Sequence, residues 1–283
     1  MARKDIQEIL AALSVRPAKD LGQNFLCDGN VAKKSVSMAQ VVPGELVVEI
    51  GPGLGALTEQ LLATGAEVHA VELDGRLCEF LRNGLVKRFP GKFFLLHGDA
   101  VAFPRGDVAA EDKTTYAVVA NLPYAITSPW LDAILKLPLP KSMVLLTQLE
   151  SAERLLAPPR SRRRGAIGVR IGAAFRMISM HKIPPQCFHP RPKVQSALVH
   201  MQLLDEPLVF SQKPLAIMRH CFQFRRKQLA TSCRAIENHG EKLLAERWLH
   251  LGTVDPHLRP EDLELSHWRS LQQLNCEHWP TEV

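Results

Sequence analysis

The sequence predicts an α/β fold: a first domain over residues 1–206 built on a mostly parallel, seven-stranded sheet, followed by a small all-α domain over 207–283. Three observations carry this. Through the first 204 residues, short β-rich runs alternate with helical stretches, as expected of a sheet covered by helices on both faces. After Asp205-Glu206-Pro207 those runs disappear. The remainder repeats apolar residues at helical spacing only.

In chain order, the strand candidates are Leu46 to Ile50, Val68 to Val71, Phe93 to His97, Ala117 to Ala120, Met143 to Thr147, Arg170 to Ala174 and Ala197 to Leu203. Helical patterns run between them at Gly55 to Ala63, Gly75 to Arg88 and Pro129 to Leu137. Beyond residue 207, LAIMRHCFQFRRKQLATSCRAI, GEKLLAERWLHLG and RPEDLELSHWRSLQQLNC read as three or four helices, with Glu261 and Asp262 suited to a helix start.

Composition excludes several classes. A hydrophobic content of 46% with mean hydropathy near zero fits a soluble globular chain, and no apolar run approaches the ~18 residues of a membrane span. Asp5, Glu8 and Asp20 interrupt the N-terminus, which lacks the apolar core of a signal peptide and the acid-poor character of a transit peptide. A cytoplasmic protein is expected. The six cysteines are scattered without a CxxC pair, so no metal is expected.

The net charge of +6 is concentrated in one place. Residues 151–204 hold 10 Lys and Arg against 1 acid, whereas 1–150 hold 15 against 17 and 205–283 hold 10 against 11. Arg160-Ser161-Arg162-Arg163-Arg164 is the densest run, in a loop bracketed by Pro158, Pro159 and Gly165. A solvated loop would look the same, but an excess without balancing carboxylates favours a polyanion, because neutralised phosphates release counterions.

The motifs sit at successive strand ends, where ligands of open α/β sheets bind. In LVVEIGPGLGALTEQLLATG, Gly51, Gly53 and Gly55 lie between strand and helix and permit a tight turn with close ligand approach. The spacing also satisfies the dinucleotide fingerprint. Glu72 ends the next strand, 21 residues after Gly51, where a carboxylate can accept both hydroxyls of an adenosine ribose. Asp99 and Ala100 end the third and can hydrogen-bond an adenine ring, although Asp99 alone reads equally well as a cap. Asn121-Leu122-Pro123-Tyr124 ends the fourth.

That last tetrapeptide suits one kind of chemistry. An exocyclic ring amine is a poor nucleophile because its lone pair is delocalised. Two acceptors on its N–H groups, the Asn121 side-chain oxygen and the Leu122 carbonyl, favour a pyramidal nitrogen aimed at an electrophile. Pro123 stiffens the backbone and Tyr124 can stack on a flipped base. Positioning supplies most of the rate, and no strong base is needed.

Together these motifs resemble the class I S-adenosylmethionine-dependent methyltransferases that act on amino groups, and specifically the ribosomal RNA adenine N6-dimethyltransferases of the KsgA type. The resemblance is nearly full length. It spans Leu21-Gly22-Gln23-Asn24-Phe25-Leu26, Glu49 to Thr58, Asn121 to Tyr124, the segment Phe188-His189-Pro190-Arg191-Pro192-Lys193-Val194-Gln195-Ser196, and Phe224-Arg225-Arg226-Lys227 with Leu229. It implies a Rossmann-like methyltransferase domain and S-adenosylmethionine as cofactor, held by Gln23, Asn24, Leu26, Gly51, Gly53, Glu72, Asp99, Ala100 and Asn121. It implies catalysis by Asn121, Leu122, Pro123 and Tyr124, with Phe188 closing the target adenine against Tyr124. RNA contacts are expected from Arg162, Arg163, Arg164, Arg191, Lys193, Arg225, Arg226 and Lys227, and the helical domain is expected to touch RNA or the ribosome.

The implied reaction is dimethylation of N6 on two adjacent adenosines near the 3′ end of small-subunit (16S) rRNA, within a partly assembled particle, by a monomer. Two departures from the family pattern stand out. Ala18-Lys19-Asp20 replaces a more basic run, and Gln148-Leu149-Glu150 lacks the usual central lysine. Neither touches the groups proposed for chemistry, so an active enzyme is expected. The alternatives are a resistance-type large-subunit (23S) rRNA methyltransferase and a non-catalytic RNA-binding or assembly factor. A dehydrogenase ranks last, since nothing offers a hydride-transfer acid or base.

Overall fold

The computed structural model describes residues 3–15, 17, 23–109, 114–136 and 138–276. Ala18 to Gly22 and Leu137 lie outside the described residues, so the basic-run departure and the Leu21-Gly22 end of the first motif have no structural account. The chain runs α1 (Arg3–Ala12), β1 (Phe25–Leu26), α2 (Gly29–Ala39), β2 (Leu46–Ile50), α3 (Ala56–Ala63), β3 (Glu67–Glu72), α4 (Gly75–Leu81), β4 (Phe93–His97), β5 (Tyr116–Asn121), α5 (Thr127–Ile134), β6 (Ser142–Gln148) and α6 (Leu149–Leu155). It continues with α7 (Ala166–Ala174), β7 (Phe175–Ile183), β8 (Phe188–His189), β9 (Ser196–Leu203), α8 (Gln212–Gln223), α9 (Leu229–Arg234), α10 (His239–His250) and α11 (Leu265–Cys276).

The expected seven-stranded sheet is present, ordered β4-β3-β2-β5-β6-β9-β7. Strands β4, β3, β2, β5 and β6 pair in parallel, and β9 runs antiparallel to β6. Its central strands read as continuous apolar runs because both faces are covered: Val47, Val48 and Ile50 of β2 and Ala117 to Val119 of β5 are fully buried. Helix α2 shows how local sequence sets a covering element. Asp28 caps it by accepting the Asn30 N–H at 2.9 Å, and Val31, Ala32, Val36 and Ala39 recur on the face that enters the core. The short strands β1 and β8 form a separate antiparallel ladder pairing Phe25 with His189 and Leu26 with Phe188.

Two expectations are corrected. Arg170 to Ala174 belongs to helix α7, and the strand of that region begins at Phe175. The run RIGAA has no length or period to separate strand from buried helix, and the deciding contacts are distant: Val169 and Ala173 pack with Trp248, Trp268 and Leu271. Gly168 permits the approach of α7 to α6, since a Cβ there would lie 2.9 Å from the Arg154 carbonyl oxygen. The domain boundary also differs. The compact units are Met1–Ala152 with Arg176–Leu203, and Glu153–Phe175 with Leu204–Val283, so residues 153–175 join the helices rather than the sheet.

Candidate active site

The carboxyl ends of β2, β3, β4 and β5 open on a cleft. Its walls include Gln23, Asn24, Leu26, Gly51, Gly53, Glu72, Asp99, Ala100, Asn121, Leu122, Pro123 and Tyr124, so the expected cofactor residues and four of the five expected catalytic residues share one site.

The glycine loop makes the floor. Gly51 and Gly53 adopt left-handed backbone, with φ of 66° and 59°. An added Cβ at Gly53 would also meet the Phe25 ring at 3.2 Å. The turn presents the Gly53 N–H to Glu72 Oε2 at 3.0 Å, while the Leu73 and Asp74 N–H groups donate to Oε1 at 2.9 and 3.0 Å. Burial raises the Glu72 carboxyl above its ordinary range, against the pull of these three backbone donors. Its Oε1 lone pairs are occupied, and Oε2 keeps one free for a hydroxyl. Asp99 spends one oxygen on the Val101 N–H at 2.8 Å, which satisfies the capping reading and leaves the other oxygen for a ligand.

At the end of β5, Asn121 Nδ2 donates to the Asn24 carbonyl at 3.1 Å. That bond fixes which way the amide points, and the side-chain oxygen is left for the cleft. The Leu122 N–H is engaged by the Leu146 carbonyl at 3.0 Å, whereas its own carbonyl accepts nothing among the described residues. Two acceptors thus stand on one rigid turn. Tyr124 follows, its phenol hydrogen-bonded to the buried Ser196 hydroxyl at 2.7 Å. Burial raises the Tyr124 pKa, so the phenol stays neutral. Thr127 steadies the same turn, donating to the Pro123 carbonyl at 3.3 Å and meeting the Thr147 hydroxyl at 3.2 Å.

Of the five residues expected to be catalytic, Phe188 does not line the cleft. Its ring is 1% exposed and lies in the core cluster with Leu26, Val31 and Leu198, off the cleft wall, because pairing of β8 with β1 turns it inward. The basic residues divide similarly. Arg162, Arg191, Lys193, Arg226 and Lys227 are exposed, and Arg163 is exposed but paired with Glu153. Arg164 is buried, which lowers its pKa against the charge of Glu264, so it is an internal group and not a phosphate contact. Arg225 is half-buried, held by Glu261 and the Arg162 carbonyl.

Sequence reasoning gave no role to Glu49, the penultimate residue of β2, which lines the cleft. It is 1% exposed and its Oε2 has no hydrogen-bond partner among the described residues. Burial pushes its pKa up to about 8. The Thr58 hydroxyl pulls the other way but lies outside hydrogen-bonding geometry, and the Glu72 charge adds to the rise. The signal was a lone carboxylate inside the apolar run LVVEI. An orphan buried carboxylate facing a cleft suits a cationic ligand.

The chain has clear likenesses. A family model described as "Ribosomal RNA adenine dimethylase" matches residues 15–255. The "Ribosomal RNA small subunit methyltransferase A" of Opitutus terrae is 46% identical over 267 residues, covering 94% of this chain and 96% of that protein. The protein of that name from Clostridium perfringens is 36% identical over 274 residues, covering 95% and 94%. Among solved structures, a dimethyladenosine transferase from Plasmodium falciparum shares the fold, with a TM-score of 0.69 at 22% identity over 87% of this chain and 95% of the other.

Proposed function

Because the chain belongs to the ribosomal RNA adenine dimethylase family, whose methyl donor is S-adenosylmethionine, we propose that it dimethylates N6 of two adjacent adenosines near the 3′ end of small-subunit rRNA. The cleft fits the donor: a glycine floor, a ribose-height carboxylate at Glu72 and an unpartnered buried carboxylate at Glu49 for its positive charge. When bound, the donor supplies an electrophilic methyl on a sulfonium.

The chain's residues do the rest. Asn121 Oδ1 and the Leu122 carbonyl accept the two N–H groups of the adenine amine and draw its lone pair out of the ring. Tyr124 carries the base on its ring face, held in place by Ser196. The alkylated nitrogen is acidic and releases its proton to water, so no side-chain base is required. Arg162, Arg163, Arg191, Lys193, Arg226 and Lys227 meet phosphates, while Arg164 and Arg225 hold their loops. In this reading the protein acts as a cytoplasmic monomer on a partly assembled particle; no described helix is long and apolar enough to cross a membrane.

The observation that carries the reading is the Asn121 to Asn24 hydrogen bond, which turns an acceptor toward the cleft. The test incubates labelled donor with unmethylated small and large subunits and maps modified adenines by mass spectrometry. Two neighbouring N6,N6-dimethyladenosines in small-subunit RNA are expected. Asn121→Ala should keep donor affinity within a few-fold and lose most turnover. Label only in the large subunit, or full turnover by Asn121→Ala, would overturn the proposal.

A further inference from the structure

Single exposed apolar residues are ordinary, but Phe224 has unusual surroundings. It follows α8 and is 46% exposed. Its ring rests on His220 at 4.9 Å between centroids, and His220 is tied to the Ser232 carbonyl at 3.0 Å. The turn that presents it is closed by the Lys227 N–H on the Phe224 carbonyl at 2.7 Å. Residues 207–236 contain six Lys and Arg and no Asp or Glu. Arg225 points back to Glu261, but Arg226 and Lys227 are exposed and pair with no carboxylate among the described residues. Leu243 and Leu251, comparably exposed in the same unit, lie in or beside a helix carrying Glu241 and Glu246.

A supported aromatic face beside two unpaired cations is complementary to one ligand chemistry: an unpaired nucleobase with its flanking phosphates. Every base has a π-face, and the cations track the backbone. We infer that Phe224 is a stacking platform for an unpaired base of the RNA substrate, with Arg226 and Lys227 on the adjoining phosphates. This rests on the proposed RNA substrate and adds a second base contact, on the helical unit.

The test measures Kd for the unmethylated small-subunit particle between 50 and 200 mM KCl. Phe224→Ala should weaken binding about 5- to 150-fold, the range for one lost stack, with the salt slope unchanged. Phe224→Tyr should bind within about twofold of wild type. Arg226→Ala with Lys227→Ala should flatten the slope by about 1.4, two single-strand phosphates. Unaltered donor affinity and thermal midpoint in each variant report intact folding. Three results would overturn the inference: wild-type affinity for Phe224→Ala, an unchanged slope for the double charge variant, or full affinity for Phe224→Leu. The last would mean an apolar protein contact, since leucine cannot stack. Methylation by wild type alongside any of these leaves the proposed reaction standing, whereas absence of both binding and methylation removes both.

Discussion

Glu49 makes proton release on cofactor binding a direct reading of the cleft. Its carboxyl has an ordinary value of 4.5 and is held at about 8 in the cofactor-free fold, mainly by burial. A value raised on folding contributes stability that is complete below pH 4.5 and is lost as pH rises toward 8. That gap corresponds to about 5 kcal/mol across the window. The free protein should therefore lose stability from pH 5 to 8, and Glu49→Gln should flatten that part of the profile. A cationic donor beside Glu49 favours the charged form, so binding expels the proton. With a free-state value near 8, about 0.9 of the sites are protonated at pH 7, and binding should release close to that many protons. Donor Kd should rise about tenfold for each pH unit below 7. Calorimetry in two buffers of different ionisation enthalpy counts the protons directly. Wild type should release nearly one at pH 7 and almost none at pH 9, and Glu49→Gln none at either. Equal release by wild type and Glu49→Gln at pH 7 would refute the assignment.

Two other outcomes follow from local geometry. Tyr124→Phe orphans the buried Ser196 hydroxyl and should cost about 1–3 kcal/mol in denaturant unfolding, whereas Ser196→Ala leaves the half-buried Tyr124 phenol unpaired and should cost less. The double variant should cost less than their sum, and strict additivity would refute the coupling. Gly53→Ala forces alanine into left-handed backbone, at about 1–2 kcal/mol, and drives its methyl into Phe25. A lowered thermal midpoint and at least tenfold weaker donor binding are expected. Wild-type values for both would mean that the floor is not rigid.

The sheet was legible because its central strands are buried on both faces and so appear as uninterrupted apolar runs closed by glycine or polar residues. The cleft was legible for the same reason, as its residues sit where those runs stop. What escaped was whatever depends on distant partners. Arg164 and Arg162 look alike in a run of arginines, and only the fold buries one and exposes the other. Ser196 meets Tyr124 from 72 positions away. Phe188 sits in a proline-rich segment suited to holding an aromatic at a site, but the β1 ladder decides which way its ring turns. RIGAA was misread because the helices that bury it lie more than thirty residues downstream.

The assignment of residues 153–175 to the helical unit has a consequence for the order in which the protein can be made. Helix α7 is synthesised before any of the residues from Phe210 to Leu274 that complete its apolar cluster. Folding of that unit therefore waits until the chain through Leu274 has been made, whereas the strands β2 to β6 are already complete when α7 is made. A fragment cut at residue 206, the boundary the sequence suggests, would keep the sheet and strand Val169 and Ala173 without the chain that covers them.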